Sequence, residues 1–239
     1  MKTMEILENL ARLKVSDGTE MGAFVVTPET PAKAGVLVFQ EAFGVNSHIK
    51  EIARRFARDG HLVVAPELFH RTLPPGGTLA YPTGSDWSHI RPHIDAITRE
   101  GALADYQAAY DWLKDELKND VIGCVGFCMG GSASFIANSR LPLKAAVSFY
   151  GTRILQNPDL VPEQKAPLLL MWGGKDQGTP AEKLIELSNA LKTAGKDFIQ
   201  TVFSEAGHAF NNDERPSYHP ASATTAWAMT HGFFKAHLK

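Results

Sequence analysis

The sequence predicts an α/β fold with a mostly parallel central sheet and helices on both of its faces. Apolar segments of strand length alternate with helical patterns from residue 36 to residue 237, and such alternation builds right-handed crossover units. Two of the runs, residues 36–39 and 168–172, are apolar without interruption, as strands covered on both faces are. No repeat and no low-complexity tract divides the chain, so residues 1–239 read as a single domain.

The elements follow in order. Alternating residues 10–15 and 21–27 flank Ser16-Asp17-Gly18, a turn-forming triplet, and predict an antiparallel hairpin. Strands are expected at residues 36–39, 62–65, 121–127, 144–149, 167–172 and 199–203, and helices at 47–58, 100–117, 131–138, 181–194 and 221–237. Residues 67–98 differ: Pro74, Pro75, Gly76, Gly77, Pro82, Gly84 and Pro92 are too many breakers for one regular element. They predict an extended loop with about one helical turn, of the kind that forms lids or pocket walls.

Composition excludes several function classes. With 44% hydrophobic and 21% charged residues the chain is ordinary for a globular domain. Its 24 Lys and Arg against 26 Asp and Glu give a formal charge of −2, which lacks the basic footprint of a nucleic-acid partner. No apolar run is long enough to span a bilayer, and Glu5 and Glu8 interrupt the stretch where a signal peptide would be apolar. A cytoplasmic protein without membrane attachment is expected. The two cysteines, Cys124 and Cys128, lie four residues apart and build no disulfide framework, so a thiol persists.

That thiol carries the strongest local signal. Gly126-Phe127-Cys128-Met129-Gly130 lies between a strand and a helix and fits the G-x-S-x-G nucleophile elbow with cysteine in the serine position. Such a turn delivers the sulfur to a helix N-terminus, whose free amides favour thiolate. Cys124, inside the strand, reads as core. In elbow enzymes the acid and then the histidine follow the nucleophile along the chain. Asp176 stands just past the strand ending at Trp172, and His208 just past the strand ending at Phe203, where open α/β sheets place ligand-facing residues. Glu41 follows the run 36–39 at another strand end, where a carboxylate needs a partner. The backbone amides of Ala42 and Met129 are the expected oxyanion donors. His89 and His93 are four apart, but Pro92 lies between them and no further ligand completes a set, so no metal site is expected.

Together QEAFGVN at residues 40–46, GFCMGG at 126–131, WGGKDQGTP at 172–180 and GHAF at 207–210 resemble the dienelactone hydrolase family, nearly end to end and in the family's order. The resemblance implies the α/β-hydrolase fold without a cap domain, since only residues 151–166 join the strands where many relatives insert one. It implies a Cys128-His208-Asp176 triad that opens a small ester or lactone through a thioester, with no metal or organic cofactor. It also implies that Glu41 hydrogen-bonds the resting thiol, and it points to Phe43 and Tyr150 as pocket aromatics. Members that open anionic dienelactone hold its carboxylate with arginines, one shortly after the catalytic histidine. Here Asn212 stands near that position, and Arg91, Arg99 and Arg215, with Arg71, are the candidates. Two other readings stay open: a carboxylesterase or thioesterase for neutral esters, and a non-catalytic ligand-binding protein on this fold. The expected partner is a small molecule, and the expected assembly a monomer or small homo-oligomer.

Overall fold

The N-terminal hairpin is the first element of a computed structural model that describes residues 5–239. The first four residues, part of the stretch read against a signal peptide, lie outside the described residues. Packing divides the chain into two units, one ending at Ile122 and one beginning at Gly123.

The first unit holds β1 (Ile6–Lys14), β2 (Glu20–Pro28), β3 (Gly35–Phe39), α1 (Ser47–Arg58), β4 (Leu62–Pro66), α2 (Arg91–Asp95) and α3 (Arg99–Leu117). Its strand order is β1-β2-β4-β3. The hairpin is antiparallel, with Lys14 opposite Glu20 across the turn, and β2 continues antiparallel onto β4. The β3–β4 pair is parallel. Every residue of β3 and β4 is buried, which is why these runs are continuously apolar. Helix α1 buries Ile49, Ile52, Ala53, Phe56 and Ala57, the spacing of one helical face. Each large apolar side chain in that stripe contributes about 1.5–3 kcal/mol. The Asn46 carboxamide caps the helix by accepting from the Ile49 amide.

Residues 67–98 form the expected loop, and α2 is its helical turn. The loop is tied down rather than free. The Leu68 amide donates to the Gln40 side chain at 3.1 Å, and the Leu79 amide to the Phe43 carbonyl at 2.9 Å. The Asn46 amide group donates to the Tyr81 hydroxyl at 3.0 Å. Phe43 and Ile90, both fully buried, gather Leu79, Tyr81, Trp87 and Ile94 around them. At the loop's start Arg71 reaches Asp105 with two N–H groups, at 2.8 and 2.9 Å, and Asp17 at 2.6 and 3.0 Å, while His70 adds a 3.1 Å contact to Asp105. Arg71, a candidate substrate cation from sequence, is therefore held by two carboxylates that raise its pKa, with the Asp105 hydrogen bonds the largest stabilising cause.

The second unit holds β5 (Ile122–Phe127), α4 (Met129–Arg140), β6 (Ala145–Phe149), β7 (Leu168–Gly173), α5 (Ala181–Thr193), β8 (Phe198–Phe203) and α6 (Pro220–His237). Strands β5-β6-β7-β8 are neighbours in that order, all parallel. Between β6 and β7 the chain makes only two short 3-10 turns, Thr152–Gln156 and Pro158–Leu160. Asn138 clamps this connection from α4. Its NH2 donates to Gln164 at 2.9 Å and to the Ala166 carbonyl at 3.0 Å, and its oxygen accepts from the Ala166 amide at 3.1 Å. Among the described residues no helix is long and apolar enough to cross a membrane.

Asp105 is 1% exposed, so removing it takes two hydrogen bonds from Arg71 and the contact from His70 and leaves a buried void. Asp105→Ala is expected to lower unfolding stability by about 3 kcal/mol, read by urea denaturation.

Candidate active site

The site of the second unit is built on three strand ends. At the first, β5 runs into α4 through Cys128, which adopts φ 56° and ψ −114°, a region that non-glycine residues enter only under strain. Gly126 makes the turn possible: a Cβ there would stand 1.8 Å from the Gly130 carbonyl oxygen. The Cys128 amide donates to the Phe149 carbonyl of β6 at 3.0 Å, and the Cys128 carbonyl accepts from Gly131 at 3.0 Å. Helix α4 thus begins at Met129, two residues before the predicted start, because the glycines that depress helix propensity here serve the turn. Cys128 is its N-cap without a side-chain cap bond, leaving the sulfur beside first-turn amides that have no partner within the helix.

The second and third strand ends are joined to each other. Gly174 donates to the Phe203 carbonyl at 2.8 Å, and Lys175 to the Ala206 carbonyl at 2.9 Å. A Cβ on Gly173 would lie 2.5 Å from the Gly207 carbonyl oxygen, so the close approach of the two loops requires glycine. This brings Asp176 Oδ2 to 2.6 Å from His208 Nδ1 and leaves His208 Nε2 at 3.1 Å from Cys128 Sγ. The Gly178 amide holds the other Asp176 oxygen at 2.9 Å, and the Thr179 hydroxyl fixes the loop through the Gly173 and Asp176 carbonyls.

Electrostatics follow from this chain of contacts. Burial pushes the Asp176 pKa up, but the hydrogen bond and charge of His208 with the Gly178 amide outweigh it and leave it lowered. Burial pushes His208 down, yet the neighbouring Cys128 charge and the Asp176 hydrogen bond raise it to about 10. The imidazole is therefore held as imidazolium at neutral pH. Cys124, completely buried, is instead pushed up to about 12 by desolvation and stays a thiol. Of the two sulfurs, Cys128 is the one that is partly exposed and in contact with a histidine.

Of the remaining candidates, Tyr150 lies in this unit. It is fully buried with φ 42°, its ring 5.3 Å from the His208 ring. Met129 opens α4. Arg215 is half-buried, and Asn212 is fully buried with its oxygen accepting from the Glu214 amide. In the first unit Glu41 and Ala42 follow β3, both buried, and Phe43 lies in the aromatic cluster. Arg91 opens α2 and Arg99 opens α3, both exposed. His93 contacts the Thr72 hydroxyl and His89 the Ala80 carbonyl. Sequence reasoning missed the Gly178 amide and the edge-type packing of the Tyr150 and His208 rings. The WGGKDQG segment signals the first, since a glycine two residues past an aspartate is an Asx-turn pattern. Nothing local signals the second.

Fold and strand-end chemistry define an α/β-hydrolase. Residues 21–238 match the dienelactone hydrolase family, and the chain belongs to it; it is a carboxylic ester hydrolase. The chain is 34% identical to a protein of Yersinia pestis provisionally named carboxymethylenebutenolidase, across 93% of this chain and 86% of that one. A protein of Escherichia coli K12 with the same provisional name is 35% identical, across 92% and 84%. A solved structure from Klebsiella pneumoniae, provisionally named a dienelactone hydrolase, superposes with a TM-score of 0.85 at 29% identity, across 98% and 100%.

Two outcomes test the site. The folded pKa of His208, about 10, lies above its unfolded value of roughly 6.5, so its contribution to stability is complete below the unfolded value and disappears as pH rises through about 10. The melting-temperature difference between wild type and His208→Gln is expected to shrink steadily from pH 6.5 to 10. Gly126→Ala is expected to destabilise the protein by about 2 kcal/mol or more through backbone displacement, and to slow alkylation of Cys128 in the fraction that remains folded.

Proposed function

We propose that this enzyme hydrolyses small esters or lactones through a thioester on Cys128, with His208 as acid and base and Asp176 as its orienter. The observation that carries the reading is the unbroken chain of contacts from Asp176 through His208 to a cysteine at an elbow. His208 Nε2 takes the Cys128 proton while Asp176 holds the tautomer that makes this possible. The thiolate adds to the substrate carbonyl, and the oxyanion is stabilised by the Met129 amide. Collapse breaks the acyl C–O bond, and the imidazolium supplies a proton to the departing oxygen. Water, giving a proton back to His208, then adds to the thioester and expels the thiolate, releasing the acid. The family pattern adds the Ala42 amide as second oxyanion donor and gives Glu41 a part in controlling the Cys128 sulfur. A thiolate favours activated esters, enol esters and lactones, whose leaving groups need little protonation.

A second reading, a carboxylesterase for neutral small esters, is favoured by Asn212. Where dienelactone-opening members carry an arginine, this chain has a buried amide engaged with its own loop. Arg91, Arg99 and Arg215 are then the candidates for an anion clamp.

Cys128→Ala is expected to lower kcat at least about 1,000-fold, and iodoacetamide near neutral pH is expected to label Cys128 well before Cys124. Hydrolysis at the wild-type rate in Cys128→Ala would sink the mechanism. Steady-state turnover of cis- and trans-dienelactone beside p-nitrophenyl acetate separates the two readings: dienelactone turned over far more efficiently establishes an anionic lactone substrate, and neutral-ester turnover alone establishes the esterase.

A further inference from the structure

Residues 149 and 150 touch both partners of the nucleophile–base pair. The Phe149 carbonyl accepts from the Cys128 amide at 3.0 Å, which pins the elbow to the end of β6. The next residue, Tyr150, turns its backbone to φ 42° and anchors there through its amide, which donates to the Met171 carbonyl of β7 at 2.8 Å. That turn places its ring against His208, with centroids 5.3 Å apart and planes at 60°. On another side the ring meets Phe210 at 5.3 Å and 75°, and Phe149 and Phe127 close the packing at 6.1 and 6.3 Å. Tyr150 is fully buried, so it has little freedom to turn away from the imidazole.

A ring held this way limits where the imidazole can swing, and its electron-rich face attracts a cation within about 6 Å. The left-handed backbone of a bulky buried residue costs about as much as other sparsely populated conformations and persists where its surroundings impose it. Here the imposed outcome is a contact with the base.

We propose that Tyr150 is a positioning residue for the general base. Its ring keeps the His208 imidazole in line between Asp176 and Cys128 and favours the imidazolium–thiolate form of the pair over the neutral imidazole and thiol. The proposal rests on the hydrolytic reading of Cys128 and His208 above, and it differs from the substrate-contact role that sequence resemblance gives Tyr150. The charged groups acting on His208 are Cys128, at the start of α4, and Asp176, in the loop after β7. Tyr150, at the end of β6, is the aromatic group added to that set.

The test compares Tyr150→Phe, which keeps the ring, with Tyr150→Leu, which removes it. His208 protonation is followed by NMR across the alkaline range, and the Cys128 thiolate by its ultraviolet absorbance at neutral pH, where Cys124 is silent. Tyr150→Leu is expected to lower both the proton affinity of His208 and the thiolate-to-thiol ratio roughly 3- to 30-fold. A fall in kcat with little change in KM should accompany it, and Tyr150→Phe should remain close to wild type. A purely structural role would lower the melting temperature and leave the His208 titration in place, which would overturn the proposal. So would a Tyr150→Phe variant as impaired as Tyr150→Leu, because the hydroxyl rather than the ring would then carry the effect. Should Tyr150→Leu fail to fold, Tyr150→Met, whose flexible chain fills an irregular space without a ring, carries the same comparison. Failure of the hydrolytic reading is seen separately, as hydrolysis that survives in Cys128→Ala.

Discussion

The backbone of Cys128, turned to φ 56°, is the constraint on which the rest of the site depends. A cysteine resists that conformation by about 1–3 kcal/mol, so other contacts must hold it. The fully buried β5 and its register with β6, where Phe127 faces Phe149, fix where the strand ends. The Phe149 carbonyl then takes the cysteine amide, and α4 starts at the following residue. The strain and the chemistry share one cause: only a sharp exit from the strand leaves the sulfur at the helix N-terminus and facing outward.

Each member of the Cys–His–Asp chain comes from a different strand end, and parallel pairing explains why they meet. Strands β5, β7 and β8 run in the same direction within one unit, so their carboxyl ends lie on the same edge. That rule fixes the neighbourhood and leaves the distances to the loops. The β7 and β8 loops bond to each other through Gly174 and Lys175 and carry Asp176 and His208 as one piece. The electrostatic consequence is cooperative: Asp176, 6% exposed, is kept ionised by His208, and His208 is kept protonated by the charges on either side. Preorganised charges of this kind need little reorganisation during reaction, which is where enzymes obtain much of their rate.

In the first unit the same economy governs the long loop of residues 67–98. A segment so rich in proline and glycine has little regular structure of its own, yet it is fastened at Gln40, Phe43 and Asn46 by hydrogen bonds and by an aromatic cluster. Arg71 secures its start through two carboxylates. Those contacts make it a built wall of the residues following β3, and they remove Arg71 from the set of cations open to a substrate.

Most of the fold was legible because its signals are local. Uninterrupted apolar runs mark β3 and β7, Asn46 and the 49-52-53-56 spacing mark α1, and G-x-C-x-G between strand and helix marks the elbow. Asp176 and His208 were legible as well, since parallel topology places ligand-facing residues just past strand ends. The course of the connection between β6 and β7 was not, because it is clamped at residues 164–166 by bonds to α4 that link residues more than twenty apart. Sequence by itself therefore determined the class of fold, the elbow that carries Cys128 and the chain order of the residues that meet there. Tertiary structure alone decided that Arg71 is spent on Asp105 and Asp17, that Cys124 is silenced by burial, and that Tyr150 lies against His208. The physical reason is that a side chain's charge state and contacts are set by groups distant in sequence, whose approach depends on how strands and loops close upon one another.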